Sequence, residues 1–214
     1  LKRALAKSDR ELAQAARALS AARHEAAGKL SDAIRDSVRS MELPSAEFRI
    51  VLTPSARNQE GADAVQYEFS STGKNLTDVS KCASGGEMSR IMLALKSIMA
   101  RYANMPAMIF DEIDTGVSGS VADKMGSVIC SMGRFMQVFA ITHLPQVAAK
   151  GSAHYAVTKT VKDGRTVSEI KRLSDDQRVL EIARMLSGAV LSDAAVANAK
   201  ALLSDSQSLS NVME

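Results

Sequence analysis

Over residues 1–40 the chain contains one glycine and no proline, and leucine recurs every seven positions at Leu5, Leu12 and Leu19, continued by Ala26 and Ala33. Leu1, Ser8, Ala15 and Ala22 each fall four residues before one of the first four, which makes an alanine-rich heptad seam. The apolar set then moves to Leu30, Ile34, Val38 and Met41, a displacement of four that resembles a coiled-coil stutter. The spacing fits both a coiled-coil strand and an amphipathic helix packed on its own domain. Leu43-Pro44 ends the helix, because proline disfavours helical geometry in the residue before it.

Beyond the proline the period changes. Glu47 to Thr53 and Val65 to Ser70 read as strands of a hairpin, with Pro54 to Asp63 as a polar turn region. A polar loop, Ser71 to Ala83, leads to Ser84-Gly85-Gly86-Glu87 and a helical run from Met88 to Met99, with Ile91, Leu95, Ile98 and Met99 as its expected core face. The apolar strand Ala107-Met108-Ile109-Phe110 stops at Asp111-Glu112; a helix over Ser118 to Met132 separates it from a second apolar strand, Met136 to Ile141, which stops at Thr142-His143. Two uninterrupted apolar strands joined by a helix predict a parallel βαβ unit buried on both faces. A second hairpin (His154 to Val161, turn Lys162-Asp163-Gly164-Arg165, Thr166 to Leu173) precedes helices over Asp175 to Leu186 and Ser192 to Leu203, with a fraying tail from Ser204.

Composition narrows the class. The chain of 214 residues is 46% hydrophobic and 24% charged, which excludes a mostly disordered segment. No run approaches the roughly 20 apolar residues of a membrane span, and Leu1 to Lys7 does not read as a signal peptide. A soluble cytoplasmic chain with Cys82 and Cys130 as reduced thiols is the expectation. The net charge of +3 is small, but residues 1–40 hold nine Lys or Arg against five acids, a surplus that fits a solvated helix face or contacts to a phosphate backbone. Aromatics at 4% with no Trp argue against a stacking platform for single-stranded nucleic acid. A chain that starts inside a helical pattern, with Leu1 where an initiating Met would stand, reads as a piece of something longer.

The candidate chemistry gathers at strand ends. In parallel sheets ligands sit beyond the carboxyl ends of the strands, where Asp111, Glu112 and His143 fall. An Asp-Glu pair there suits nucleoside triphosphate hydrolysis: the first carboxylate is held for Mg²⁺ and the second can polarise an attacking water. Ser84, Gly85 and Gly86 before a helix let backbone N–H groups approach a phosphate, although Ser84 and Glu87 alone would make an ordinary capping box. A nucleophile-elbow reading of Gly116 to Ser120 fails at its last position, and His24, His143 and His154 lack metal-ligand spacing.

In this order the motifs resemble an ABC-type ATPase head. Ala83-Ser84-Gly85-Gly86-Glu87-Met88-Ser89-Arg90 resembles the signature motif, Met108-Ile109-Phe110-Asp111-Glu112 resembles Walker B, and Ile141-Thr142-His143 resembles the switch-histidine loop. The wording Phe110 to Gly119 followed by Ile141 to Ala149 is similar to the RecN family, SMC-like bacterial proteins of DNA double-strand-break repair, and the likeness extends through Ala183 to Leu186 and Ala197 to Lys200. Where many relatives end the post-Walker B loop with aspartate, this chain has Ser118.

The resemblance implies an α/β fold, the C-terminal lobe of an ABC/SMC-type head with a mainly parallel sheet flanked by helices and an N-terminal coiled-coil helix. It divides the chain into an arm helix at 1–42 and a half-head at 43–214. It implies ATP and Mg²⁺ as cofactors, with Asp111 on the metal, Glu112 and His143 catalytic, and Ser84, Gly85, Gly86 and Glu87 contacting ATP held on a second head. Asp114, Thr115 and Gly116 would form an inter-subunit loop. The implied partners are the N-terminal half of the same polypeptide, a second copy of the head, and double-stranded DNA or DNA ends, in a bacterial cytoplasm at the nucleoid and away from membrane.

A full head also needs Gly-x-x-x-x-Gly-Lys-Ser/Thr. The Gly-Lys pairs here, Gly28-Lys29 and Gly73-Lys74, have Arg23 and Glu68 at the leading glycine position and are followed by Leu30 and Asn75. The expected fragment is therefore inactive alone. Competing readings are a head fragment of another SMC-like or ABC ATPase, such as a transporter subunit, and a non-enzymatic coiled-coil adaptor.

Overall fold

In the computed structural model, which describes residues 1–81, 84–162, 165–188 and 190–211, the first element is a single helix, α1 (Lys2–Ser40). Cys82 and Ala83, and the turn residues Asp163 and Gly164, lie outside the described residues. The helix stops before the expected proline: the Met41 N–H turns back to Val38 O at 3.1 Å, and Glu42 takes a positive φ of 66°.

The chain divides into two units, Leu1–Ile98 and Met99–Glu214. In the first, α1 packs on a hairpin of β1 (Glu47–Asn58) and β2 (Gly61–Ser70), to which the short β3 (Thr77–Asp78) adds antiparallel; a 3₁₀ turn, Val79–Lys81, follows. Ser31, Ile34 and Val38 are the buried positions of α1, and the register partners Phe48 and Phe69 are buried on the hairpin. The Ile50 N–H donates to Ser31 Oγ at 3.0 Å, which explains a serine in this stripe. Leu5 and Leu12 of the heptad seam remain 73% and 60% exposed, so a different stripe of the helix carries the packing.

The segment expected as a polar turn, Pro54 to Asp63, is instead strand in both directions, with a register shift between Pro54 and Asn58. Its polarity misleads because it is tied to α1 by polar contacts rather than by apolar burial. Asp63 accepts from Ser20 Oγ at 2.6 Å and Arg23 Nη1 at 3.1 Å, and Arg23 Nη2 donates to Glu60 O at 2.6 Å. The Ser20 hydroxyl, and then Arg23, hold the Asp63 carboxyl below the usual carboxylate range. Further along, Arg57 pairs with Asp9 at 2.9 Å.

Helix α2 (Gly85–Tyr102) spans the boundary between the units. Its buried positions are Gly86, Ile91, Leu93, Ala94 and Ala100, whereas Met99 is exposed and Leu95 and Ile98 are half-buried. Ile91 is buried as expected, but the rest of the buried face runs through Leu93 and the small residues Gly86, Ala94 and Ala100, which a pattern of large apolar positions does not pick out.

The second unit holds the predicted βαβ element: β4 (Ala107–Asp111), α3 (Gly119–Met132) and β5 (Gln137–Ile141), parallel and in register from Ala107 with Gln137 to Asp111 with Ile141. This pair is the parallel part of the fold, and the other sheets are antiparallel. One expectation fails: Met108 and Phe110 are buried, but Ile109, Phe139 and Ile141 are 64%, 46% and 56% exposed, so one face of the pair lies open. A side-chain run tells that a strand can be buried on both sides, not that this chain supplies both covers.

Helix α4 (Pro145–Ala149) packs against α3 at Gly126, where a Cβ would lie 3.1 Å from Lys150 Cγ and 3.2 Å from Val147 Cα. Lys150 pairs with Asp123 at 2.8 Å across the same contact. The hairpin of β6 (Tyr155–Lys162) and β7 (Arg165–Arg172) leads to α5 (Asp175–Ser187), opened by a Ser174–Gln177 capping box, and α6 (Asp193–Asn211). Ala149, Ile182, Ala183, Ala195 and Ala199 form the core between α4, α5 and α6, and α6 stays helical past the Ser204 at which fraying was expected.

His154, half-buried between these elements, has its imidazole pushed below its ordinary value, first by burial and then by the Arg178 guanidinium. The unfolded chain therefore takes up this proton first, so stability present above about pH 6.5 is lost as pH falls below it. Thermal melts should show a midpoint that drops between pH 7 and 5.5 and a shallower drop in His154→Gln; identical slopes would contradict this account.

Candidate functional site

The parallel ladder sets the site. Asp111 closes β4 opposite Ile141, and the Glu112 N–H extends the ladder by donating to Ile141 O at 3.3 Å. Asp111 and Glu112 are thereby brought to the same sheet end as Thr142 and His143, and Asp111, Glu112 and His143 are all exposed.

Glu112 has φ +50°, in the left-handed region that a side chain enters at a cost of about 1–3 kcal/mol. Its carbonyl shows what holds it there: it accepts from the Thr115 N–H at 3.2 Å and from Thr115 Oγ1 at 2.8 Å. The turn continues with the Val117 N–H donating to Asp114 O at 3.2 Å. Gly116 and Gly119, at φ +77° and +58°, complete the reversal into α3 in conformations that favour glycine.

Asp114, expected with Thr115 and Gly116 in a loop facing a second subunit, turns inward and is 1% exposed, whereas Thr115 and Gly116 are exposed. Thr142 Oγ1 donates to Asp114 Oδ2 and accepts the Leu144 N–H at 2.9 Å. The other oxygen, Oδ1, is buried without a hydrogen-bond partner among the described residues and lies 4.0 Å from His143 Nδ1. A buried acceptor left unpaired costs about 1–3 kcal/mol. Sequence reading missed Thr142 as a bridging residue; a hydroxyl between the strand and the histidine was the available signal.

In the other unit, Ser84 and Gly85 are exposed at the start of α2, Gly86 is buried and Glu87 is half-buried. The Met88 N–H donates to Ser84 O at 3.1 Å, so the first helical turn begins at the Ser-Gly-Gly segment. Arg90 locks this end in place by donating to Gly86 O at 2.9 Å and to Met41 O, beyond α1, at 3.3 Å. The leading N–H groups of such a helix have no intrahelical partner and suit an anion.

The donor set at β4 fits magnesium in a particular way. Among the described residues no three His, Cys, Asp or Glu side chains cluster as a metal cage. Mg²⁺ is commonly held by one or two carboxylates together with substrate phosphates, and a single carboxylate fixed at a strand end meets that requirement. No helix of the described residues is long and apolar enough to cross a membrane.

No family model matches the chain. It is 38% identical over 220 residues to the DNA repair protein RecN of Bacillus subtilis, covering 95% of this chain and 38% of that protein. It is 40% identical over 195 residues to the DNA repair protein RecN of Deinococcus radiodurans, covering 90% and 34%. The chain thus spans a little over a third of the length of these curated relatives. Among solved structures it resembles the Smc head domain with a coiled coil and joint from Pyrococcus yayanosii, with a TM-score of 0.59 and 20% identity over 74% of this chain and 29% of that one. An SMC ATPase described for ATP-driven dimerization and DNA-stimulated activation gives a TM-score of 0.56 and 19% identity over 75% and 93%. These likenesses establish the expected α/β fold of an SMC-type head lobe.

The Thr142 bridge has a measurable weight. Thr142→Val removes the donor to Asp114 and the acceptor for Leu144 and should lower unfolding free energy by about 1–3 kcal/mol, with Thr142→Ser close to the parent. Denaturant melts in which Thr142→Val equals the parent would remove the bridge from the site's architecture.

Proposed function

We propose that this chain, which belongs to the RecN family of SMC-like proteins, supplies one part of an ATP-hydrolysing head that works in DNA repair. The observation that carries the reading is the arrangement at one sheet end: Asp111 and Glu112 on β4, and His143 just beyond β5, set side by side by a parallel ladder.

In this reading Asp111 holds Mg²⁺, which when bound neutralises charge on the phosphates. Glu112, aimed by its left-handed backbone, orients the attacking water and accepts its proton. His143 contacts the γ-phosphate. Ser84 and the N–H groups of Gly85, Gly86 and Glu87 at the start of α2 would receive the γ-phosphate of ATP bound to a second head, with Thr115 and Gly116 presented to that partner. ATP would thus join two heads and hydrolysis release them.

The remaining part of the head, with its phosphate-cradling loop, would come from the rest of the same polypeptide. The open apolar face of Ile109, Phe139 and Ile141 supports this, since a monomer rarely leaves such a face on a parallel pair uncovered. Residues 1–42 would be the base of a coiled-coil arm whose seam, Leu5 and Leu12, awaits a partner strand, and 43–214 the half-head. The basic surplus of the arm helix offers phosphate contacts to double-stranded DNA or its ends, in the bacterial cytoplasm at the nucleoid.

Glu112→Gln in the full-length protein tests the reading. Turnover should fall by about 10²-fold or more while ATP still binds, and paired heads should accumulate on size-exclusion chromatography with ATP. Parent-level turnover in this variant would overturn the assignment.

A further inference from the structure

We propose that Asp114 is a positioning residue for His143: its buried Oδ1 takes the ring's Nδ1–H and so turns Nε2 toward the nucleotide. The inference rests on the ATPase reading for its purpose, but its geometry is independent of it.

Three observations converge. The Asp114 side chain is fully buried, and its Oδ1 has no hydrogen-bond partner among the described residues while facing His143 Nδ1 at 4.0 Å. Its Oδ2 is occupied by the Thr142 hydroxyl, and the same hydroxyl accepts from the Leu144 N–H, so the residues on both sides of His143 are fastened to this carboxylate. The His143 side chain, in contrast, is 72% exposed. A shift of about 1 Å brings Nδ1 within hydrogen-bond distance of Oδ1.

The carboxylate cannot shift to meet another donor. It is held through Oδ2, and its backbone carbonyl accepts from the Val117 N–H at 3.2 Å within the glycine-flanked turn. The moving part is therefore the ring. A carboxylate on Nδ1 fixes the tautomer and orientation of an imidazole, as it does in catalytic triads and around metal-bound histidines. With Nδ1–H committed to Asp114, Nε2 is the nitrogen left to face the nucleotide. Asp114 touches no nucleotide in this arrangement. It couples the turn that carries Glu112 to the loop that carries His143, so the two catalytic groups are set by one side chain.

The test uses the full-length protein with ¹⁵N-labelled histidine, nucleotide-free and at a pH where the ring is neutral, His143 being assigned by loss of its signals in His143→Gln. The expected neutral form is Nδ1–H, and Asp114→Asn should release the ring to the Nε2–H form. An Nε2–H ring in the parent protein overturns the inference without any variant having to fold. In turnover assays Asp114→Asn should lower kcat by about 10-fold or more with KM for ATP nearly unchanged. Parent-level kcat in Asp114→Asn, beside an inactive Glu112→Gln, overturns the positioning role and leaves the ATPase reading standing. Parent-level turnover in Glu112→Gln sinks the ATPase reading instead, and the tautomer measurement still decides the contact.

Discussion

The ladder between Ala107–Asp111 and Gln137–Ile141 determines what this chain can do. Parallel pairing places the carboxyl ends of both strands at one edge, so residues 30 positions apart in sequence become neighbours. The Glu112 N–H carries the ladder one step further, to Ile141 O. That step begins the turn whose Thr115 bonds hold Glu112 in a left-handed conformation and whose Asp114 reaches across to Thr142. Helix α3 joins the strands and sets α4 against itself through Gly126, which seats the segment after His143. Strand pairing, backbone strain and helix packing thus act on the same few atoms.

The same ladder leaves one apolar face of the strand pair open. Phe110 and Met108 are buried on one side, while Ile109, Phe139 and Ile141 face outward. On α1, the stripe through Ile34 and Val38 is buried, whereas Leu5 and Leu12 are not. Both open surfaces follow regular apolar patterns, one with the period of a strand and one with the period of a heptad, so each has the form of a packing face without its cover. A length a little over a third of that of its curated relatives accords with both.

Much of this was legible in the sequence, for identifiable reasons. The βαβ element announced itself through two apolar runs, each ended by chemistry-bearing residues, and the strand limits fell within a residue of those expected. Long-range polar ties were less visible. Pro54 to Asp63 read as a turn because nothing local reveals that Ser20 and Arg23, some 40 residues earlier, hold Asp63 and keep the hairpin extended. Only part of the buried face of α2 is visible in the pattern: Ile91 is buried as expected, but Gly86, Ala94 and Ala100 carry too little apolar weight to mark a face. Of the site, Asp111, Glu112 and His143 could be named from their places at strand ends. The inward turn of Asp114 could not, because it depends on a hydroxyl 28 residues away meeting a carboxylate across the turn.

Under the proposed reading this chain would hold one part of a divided ATPase site. Its most direct test is to prepare the 214-residue chain and the remainder of the polypeptide separately and to measure ATP hydrolysis for each and for an equimolar mixture or co-expressed pair. Neither part alone should turn over ATP above background, and ATP-dependent turnover should appear once they are together. Turnover by the 214-residue chain alone, or a reassembled pair that binds ATP without hydrolysing it, would contradict it.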